Sequence, residues 1–185
     1  MGFERHHSAW ILASVITVAS FVGATALTQN RLARLDALSS TMETNAVPSI
    51  EHLSRAAVRL TRLNQLMDDV EAPGSRRAAA LPATRKEIAA LNHDVERYLQ
   101  LPPLPGENQF WAQLRTDVHK ADLLIDASID EPRPGRSPSM LPAAGRVDDA
   151  LDSATRSVLA TLNFDVRQSE AMARDVRRVR ANTLG

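Results

Sequence analysis

Hydrophobic and polar positions divide this chain into one unbroken apolar run followed by four amphipathic segments. The run, Ser8 to Thr28 (SAWILASVITVASFVGATALT), contains no charged residue, and no other run resembles it. Some 21 residues at about 1.5 Å each span roughly 31 Å, the depth of bilayer hydrocarbon. The pattern predicts an N-terminal membrane helix in residues 1–28 and one extracytoplasmic domain in residues 29–185. A signal peptide is the rival reading. Arg5, His6 and His7 form a weak basic start, and Ala24-Thr25-Ala26 fits a small-x-small cleavage site. Either reading places the domain outside the cytoplasm. Arg5 precedes the run and Arg31 and Arg34 follow it, so basic residues do not orient it cleanly.

Beyond the run, apolar residues recur at steps of three and four. The first stripe is Leu32, Leu35, Leu38, Met42 and Ala46, then Leu53, Ala57, Leu60, Leu63, Met67 and Val70. Such spacing keeps one face of a helix apolar over many turns. Pro48 interrupts it. A proline lacks the amide donor and crowds the carbonyl of Thr44, so a kink is expected there. Ala72-Pro73-Gly74 ends this helix, and Ser75 is placed to cap the next.

The second stripe is Leu81, Thr84, Ile88, Leu91, Val95 and Tyr98, a heptad seam. Pro82 either kinks that helix or marks its start, and LPPLPG (Leu101 to Gly106) ends it. A third stripe holds Trp111, Leu114, Val118, Ala121, Ile125 and Ile129. The proline-rich stretch Glu131 to Pro142 reads as loop. A fourth helix is expected from about Arg146 to Ala181, with Leu151, Ala154, Val158, Leu162, Val166, Ser169, Met172, Val176 and Val179 in its stripe.

No strand-like alternation occurs. The fold expected is all-α: a transmembrane helix continuing into an antiparallel up-down-up-down four-helix bundle. Antiparallel pairing of the first and last helices would set Leu35 and Leu38 beside Met172, Val176 and Val179, and Leu60 near Leu151 and Ala154. Those two helices are much longer than the middle pair. The membrane-proximal stalk would be two helices per chain, a poor core alone, which favours a homodimer.

Composition narrows the function classes. Basic and acidic residues balance at 22 each, which argues against a nucleic-acid partner. The absence of cysteine excludes disulfides, thiol catalysis and cysteine-ligated zinc. Aromatic residues are few, so the core must come from Leu, Val, Ile, Ala and Met. His6, His7, His52, His93 and His119 form no His-x-x-x-His pair, so no metal site is expected. Neither a nucleophile elbow nor a Gly-rich phosphate loop is present. No cofactor and no enzyme activity are expected of this stretch.

Two segments carry a resemblance. NAVPSIEHLSRAAVRLTRL (Asn45 to Leu63) lies on the long first helix, and VLATLNFDVRQSEAMARDVRRVR (Val158 to Arg180) lies on the last. With the preceding apolar run, the proline break and the Leu162-Asn163 step, the chain resembles the four-helix-bundle sensing domain of bacterial chemoreceptors and sensor histidine kinases. The resemblance covers essentially the whole chain. It implies a periplasmic bundle held at the inner membrane, a homodimer, a small-molecule or periplasmic protein ligand, and a second membrane helix after the last bundle helix. No HAMP linker, methylation helix or kinase core lies within this sequence, so an output domain would lie downstream. The alternative is a secreted or anchored helical interaction protein without signalling output.

Arg55, Arg59 and Arg62 share one helical face, roughly 120° from the apolar stripe. In that family, arginines on the first helix hold the carboxylate of an amino-acid ligand. The spacing here differs from the aspartate-sensing pattern, and a solvated face with Glu51 pairing to Arg55 is the plainer expectation. A second candidate is a polar seam or hinge of Pro48, Thr161, Asp165 and Ser169. A charge in an apolar seam is costly unless paired or wet. Arg174, Arg177, Arg178 and Arg180 crowd the last turns, suited to the helix dipole or to lipid phosphates.

Overall fold

The first helix, α1, runs Phe3–Thr41 and passes without a loop into a π turn, Met42–Ala46, and then into α2, Val47–Glu71. The remaining helices are α3, Ser75–Leu99, α4, Asn108–Ile129, and α5, Ala144–Ala181. This computed structural model describes residues 3–72, 74–129 and 144–181, with side chains from residue 16 onward apart from Ala144. Among the described residues there is no strand, so the all-α class holds. The proline-rich loop and the side chains of residues 3–15, His6 and His7 among them, lie outside the described residues.

Pro48 is absorbed by the π turn. A proline cannot close the α-type bond to the residue four before it. One wider turn just upstream shifts the bonding register and lets the helix continue. Ala46 keeps a right-handed helical backbone, φ −59° and ψ −41°. The crowding expected at Thr44 does not strip that residue of interactions, since Thr44 still makes one. Ser75 opens α3 as expected, but Gly74 occupies the capping position and no side chain caps the helix. Pro82 lies inside α3 and does not mark its start.

The helices fall into two compact units, Met42–Glu170 and a second made of 1–41 with 171–185. In the first, α2, α3, α4 and α5 all feed one apolar cluster. It includes Leu53, Leu60, Leu63 and Met67 from α2, Ile88 and Leu91 from α3, Leu114 and Ile125 from α4, and Leu151, Ala154 and Val158 from α5. Leu60 thus shares a core with Leu151 and Ala154. Full burial of one such side chain is worth about 1.5–3 kcal/mol, so these stripes dominate the unit's stability.

The buried line on α5 departs from the apolar stripe. After Val158 the wholly buried positions are Thr161 and Asp165, while Leu162 and Val166 are only half-buried. Steps of three and four from Val158 lie on either side of the core direction. The rotation of α5 selects the polar pair.

In the other unit, Leu35, Leu38, Met172, Val176 and Val179 are half-buried. Residues 16–34 are exposed throughout. Ile16, Val18, Phe21, Val22, Leu27 and Leu32 are each more than half exposed.

Candidate functional site

The arginine face of α2 meets two acids of α3. Glu87 and Asp94 are one heptad apart, which sets both on one face of α3, and both are nearly buried at 7% and 3% exposure. Arg59 donates from Nε to Asp94 Oδ2 at 2.6 Å and from Nη1 to Glu87 Oε2 at 3.1 Å. Arg62 reaches Glu87 Oε1 at 3.3 Å. Arg55 pairs with Glu51, as the helical spacing predicts, and stands 3.9 Å from Asp94. His52 Nδ1 lies 3.6 Å from Asp94 Oδ1. The bond to Asp94 leads in holding the Arg59 proton more tightly than usual, against the opposing effect of burial. The arginines are therefore a ladder between two helices, and a ligand carboxylate there would compete with Glu87 and Asp94. A recess of about 340 Å³ opens beside them, lined also by Ser54 and Val58.

The polar-seam residues do not form one bonded layer. Pro48 and Ser169 are half-buried. The Thr161 hydroxyl donates back to the Ser157 carbonyl of its own helix at 2.8 Å. Beside Pro48, Asn45 donates its amide to the Pro102 carbonyl and accepts from the Ser49 hydroxyl at 2.8 Å. The π turn is thereby fastened to the connection between α3 and α4.

Asp165 meets the same connection through Glu107. Asp165 is completely buried and Glu107 is 1% exposed. Glu107 sits at the foot of α4 because Gly106 turns the chain with φ +86°, a conformation that glycine adopts without strain. Its own amide donates to the Leu104 carbonyl at 3.0 Å. One carboxylate oxygen of Glu107 accepts from the Tyr98 hydroxyl, the other from the Leu104 amide. Trp111 Nε1 in turn donates to the Tyr98 oxygen at 3.0 Å. Phe110 and Phe164 close one side, their ring centres 5.0 Å apart.

These contacts divide the labour between the two acids. An ionised carboxylate only accepts hydrogen bonds. Glu107 has a donor on each oxygen, which suits the charged form. Neither oxygen of Asp165 has a donor. A proton on Asp165 turns it into a donor toward Glu107 and removes the mismatch. Burial, the Glu107 charge and the hydrogen bond to Glu107 together push the Asp165 carboxyl up to about 8. Burial, Glu107 and Asp165 likewise push the Tyr98 phenol upward, so it stays a donor.

Between α4 and α5, Asp117 accepts from Ser157 and from Gln113, the latter at 2.9 Å. Burial works to raise Asp117, but bonds from Ser157, Gln113 and Ser153 outweigh it and hold the carboxyl below its usual range. An open groove of about 880 Å³ follows α3 and α4, with Val95, Leu99 and Leu123 in its wall and Arg115 and His119 at its edge. Among the described residues, no three His, Asp or Glu side chains group closely enough to hold a metal ion.

Sequence reasoning found Asp165 and missed Glu107. The available signal was an acid directly after Pro-Gly and directly before a helix, where a carboxylate serves exposed amides. Glu87 and Asp94 gave no signal, since acids on an amphipathic helix ordinarily face water. No protein-family model, curated protein or solved structure matches this chain.

Proposed function

We propose that this chain is the membrane-anchored, extracytoplasmic sensing module of a bacterial signal-transduction receptor, of the histidine-kinase or chemoreceptor kind. Residues 1–28 are the anchor, and residues 29–185 are an antiparallel up-down-up-down four-helix bundle that pairs as a homodimer in the periplasm. A small molecule or periplasmic protein is the ligand, read out by small shifts of the last helix against the first.

The observation that carries this reading is the surface of α1. Ile16, Val18, Phe21, Val22, Leu27 and Leu32 stand exposed. At about 100° per residue they point all round the helix. A helix apolar on every side belongs in a core or in lipid. Among the described residues no helix is long and apolar enough to cross a membrane; the first part of the apolar run, Ser8 to Val15, precedes the described side chains. Helical backbone runs from α1 through the π turn into α2 with no loop between them.

Topology tests the reading. With alkaline phosphatase joined after Gly185, the fusion is expected to stay with the membrane through an alkaline carbonate wash and to be active outside the cytoplasm. Release by carbonate would remove the anchor, and a membrane-held fusion without phosphatase activity would reverse the orientation. A second apolar segment and HAMP-like heptads in the gene just downstream would support a receptor over an anchored interaction protein.

A further inference from the structure

We propose that Glu107 and Asp165 form a proton-operated latch, which holds the α3–α4 connection against α5 while the pair shares one proton and loosens it when both ionise. The latch belongs to the unit Met42–Glu170 and stands whether or not the chain is anchored in a membrane.

Geometry makes the case. Asp165 is fully buried and Glu107 1% exposed; Gly106, next to Glu107, faces the ring of Phe164, next to Asp165, and the two carboxyl groups interact directly. Two like charges in such a site repel strongly, because little solvent screens them. Both oxygens of Glu107 already accept hydrogen bonds, one from the Tyr98 hydroxyl and one from the Leu104 amide. Asp165, with no donor on either oxygen, is the natural holder of the shared proton. The titratable groups acting on it are Glu107 from the connection and Tyr98 from α3. The π turn and α2 present Asn45 and Ser49 to the connection, neither of which titrates. From α4 come Phe110 and Trp111, and Phe164 flanks Asp165 on α5 itself.

Raising the pH transfers the Asp165 proton to bulk water and leaves two adjacent carboxylates. The hydrogen bond between them is lost and replaced by repulsion. The connection and α5 are held here by that pair and by the Phe164 contacts with Phe110 and Gly106. The segments free to move apart are therefore Leu104 to Glu107 and the α5 turn around Asp165. Trp111 reports this directly, since its indole bonds Tyr98, which bonds Glu107.

The test uses the full chain in detergent micelles with Trp10→Phe, which leaves Trp111 as the sole tryptophan. Its emission and the Tm are followed from pH 5 to 10. We expect one transition in emission with a midpoint near 8. The Tm should fall by on the order of 5 °C between pH 6 and 8. Asp165→Asn, which keeps a donor toward Glu107 and cannot ionise, should abolish the emission transition and flatten the Tm profile. Glu107→Gln should shift the midpoint down by a unit or more. Emission and Tm that stay constant from pH 6 to 9 in the unaltered latch overturn the proposal, whatever the variants do. A transition that persists in Asp165→Asn overturns it as well.

Discussion

Arg59 and Asp94 join α2 to α3 through a 2.6 Å hydrogen bond from Nε to Oδ2, in which the acid is nearly buried and the arginine only partly so. The pair sits one heptad along from Glu87, which Arg59 also reaches. A single guanidinium thus spans two successive turns of the neighbouring seam. Its planar fork suits this, and lysine would not serve in its place.

Removing the acid should cost more than removing any arginine of the face. Asp94→Ala leaves Arg59 without its main partner in a half-closed site, and we expect a loss of about 2–3 kcal/mol in urea denaturation. Glu51→Ala, at the exposed end of the same ladder, should change stability by less than about 0.5 kcal/mol. Equal effects would mean that the ladder is only a solvated face.

Asp165→Leu should stabilise the protein, and more so as the pH rises. The folded carboxyl is pushed up to about 8, against an ordinary value of 3.8. Folding therefore takes up a proton between these limits, and stability falls with pH across that window, by up to about 1.4 kcal/mol per unit. Leucine has no proton to lose, so relative to the aspartate it should gain about 1.4 kcal/mol per pH unit, about 4 kcal/mol in all from pH 5 to 8, and level off above. Thermal melts of both proteins across this range check it. An advantage that shrinks with rising pH would contradict the assignment of the proton to Asp165.

Tyr98→Phe removes a donor to Glu107 and an acceptor for Trp111 in one step. The ring remains, so packing is little changed. The expected cost is about 2 kcal/mol, the penalty for leaving buried polar groups without partners. Chemical denaturation measures it, and a loss below about 0.5 kcal/mol would show that water replaces the phenol.

Gly106→Ala should destabilise by about 1–2 kcal/mol, because a Cβ strains a backbone at φ +86°. The added Cβ would meet the Phe164 ring at 3.6 Å, an ordinary contact. The strain is in the backbone, so Phe164→Leu in the same chain should not relieve it. Rescue in the double variant would instead locate the cost in the ring.

A fragment beginning at Gln29 should self-associate weakly. Leu32 is 52% exposed, and Leu35, Val176 and Val179 are only half-covered. Closing such side chains against a second copy returns part of about 1.5–3 kcal/mol each. Sedimentation equilibrium should show a concentration-dependent dimer, and a strict monomer at millimolar concentration would count against pairing through this stretch.

The sequence by itself determined the helical segments and the breaks between α2 and α3 and between α3 and α4, though not the π turn at Met42–Ala46 or the start of α3. Periodicity at three and four, Ala72-Pro73-Gly74 and LPPLPG are local signals, and each acts within a few residues of itself. The same locality made the buried faces of α2, α3 and α4 legible, from Leu53 to Val70, Thr84 to Tyr98 and Leu114 to Ile129. Tertiary structure alone decided which polar groups those faces take in. Whether α5 buries Leu162 and Val166 or Thr161 and Asp165 depends on its rotation about its own axis, set by neighbours distant in sequence. Whether Asp165 meets Glu107, or Arg59 meets Asp94, depends on how far one helix slides along another. A shift of one residue moves a side chain by about 100° and 1.5 Å, enough to exchange a buried partner for water. Such pairings are properties of two helices at once, and no single stretch of the chain contains them.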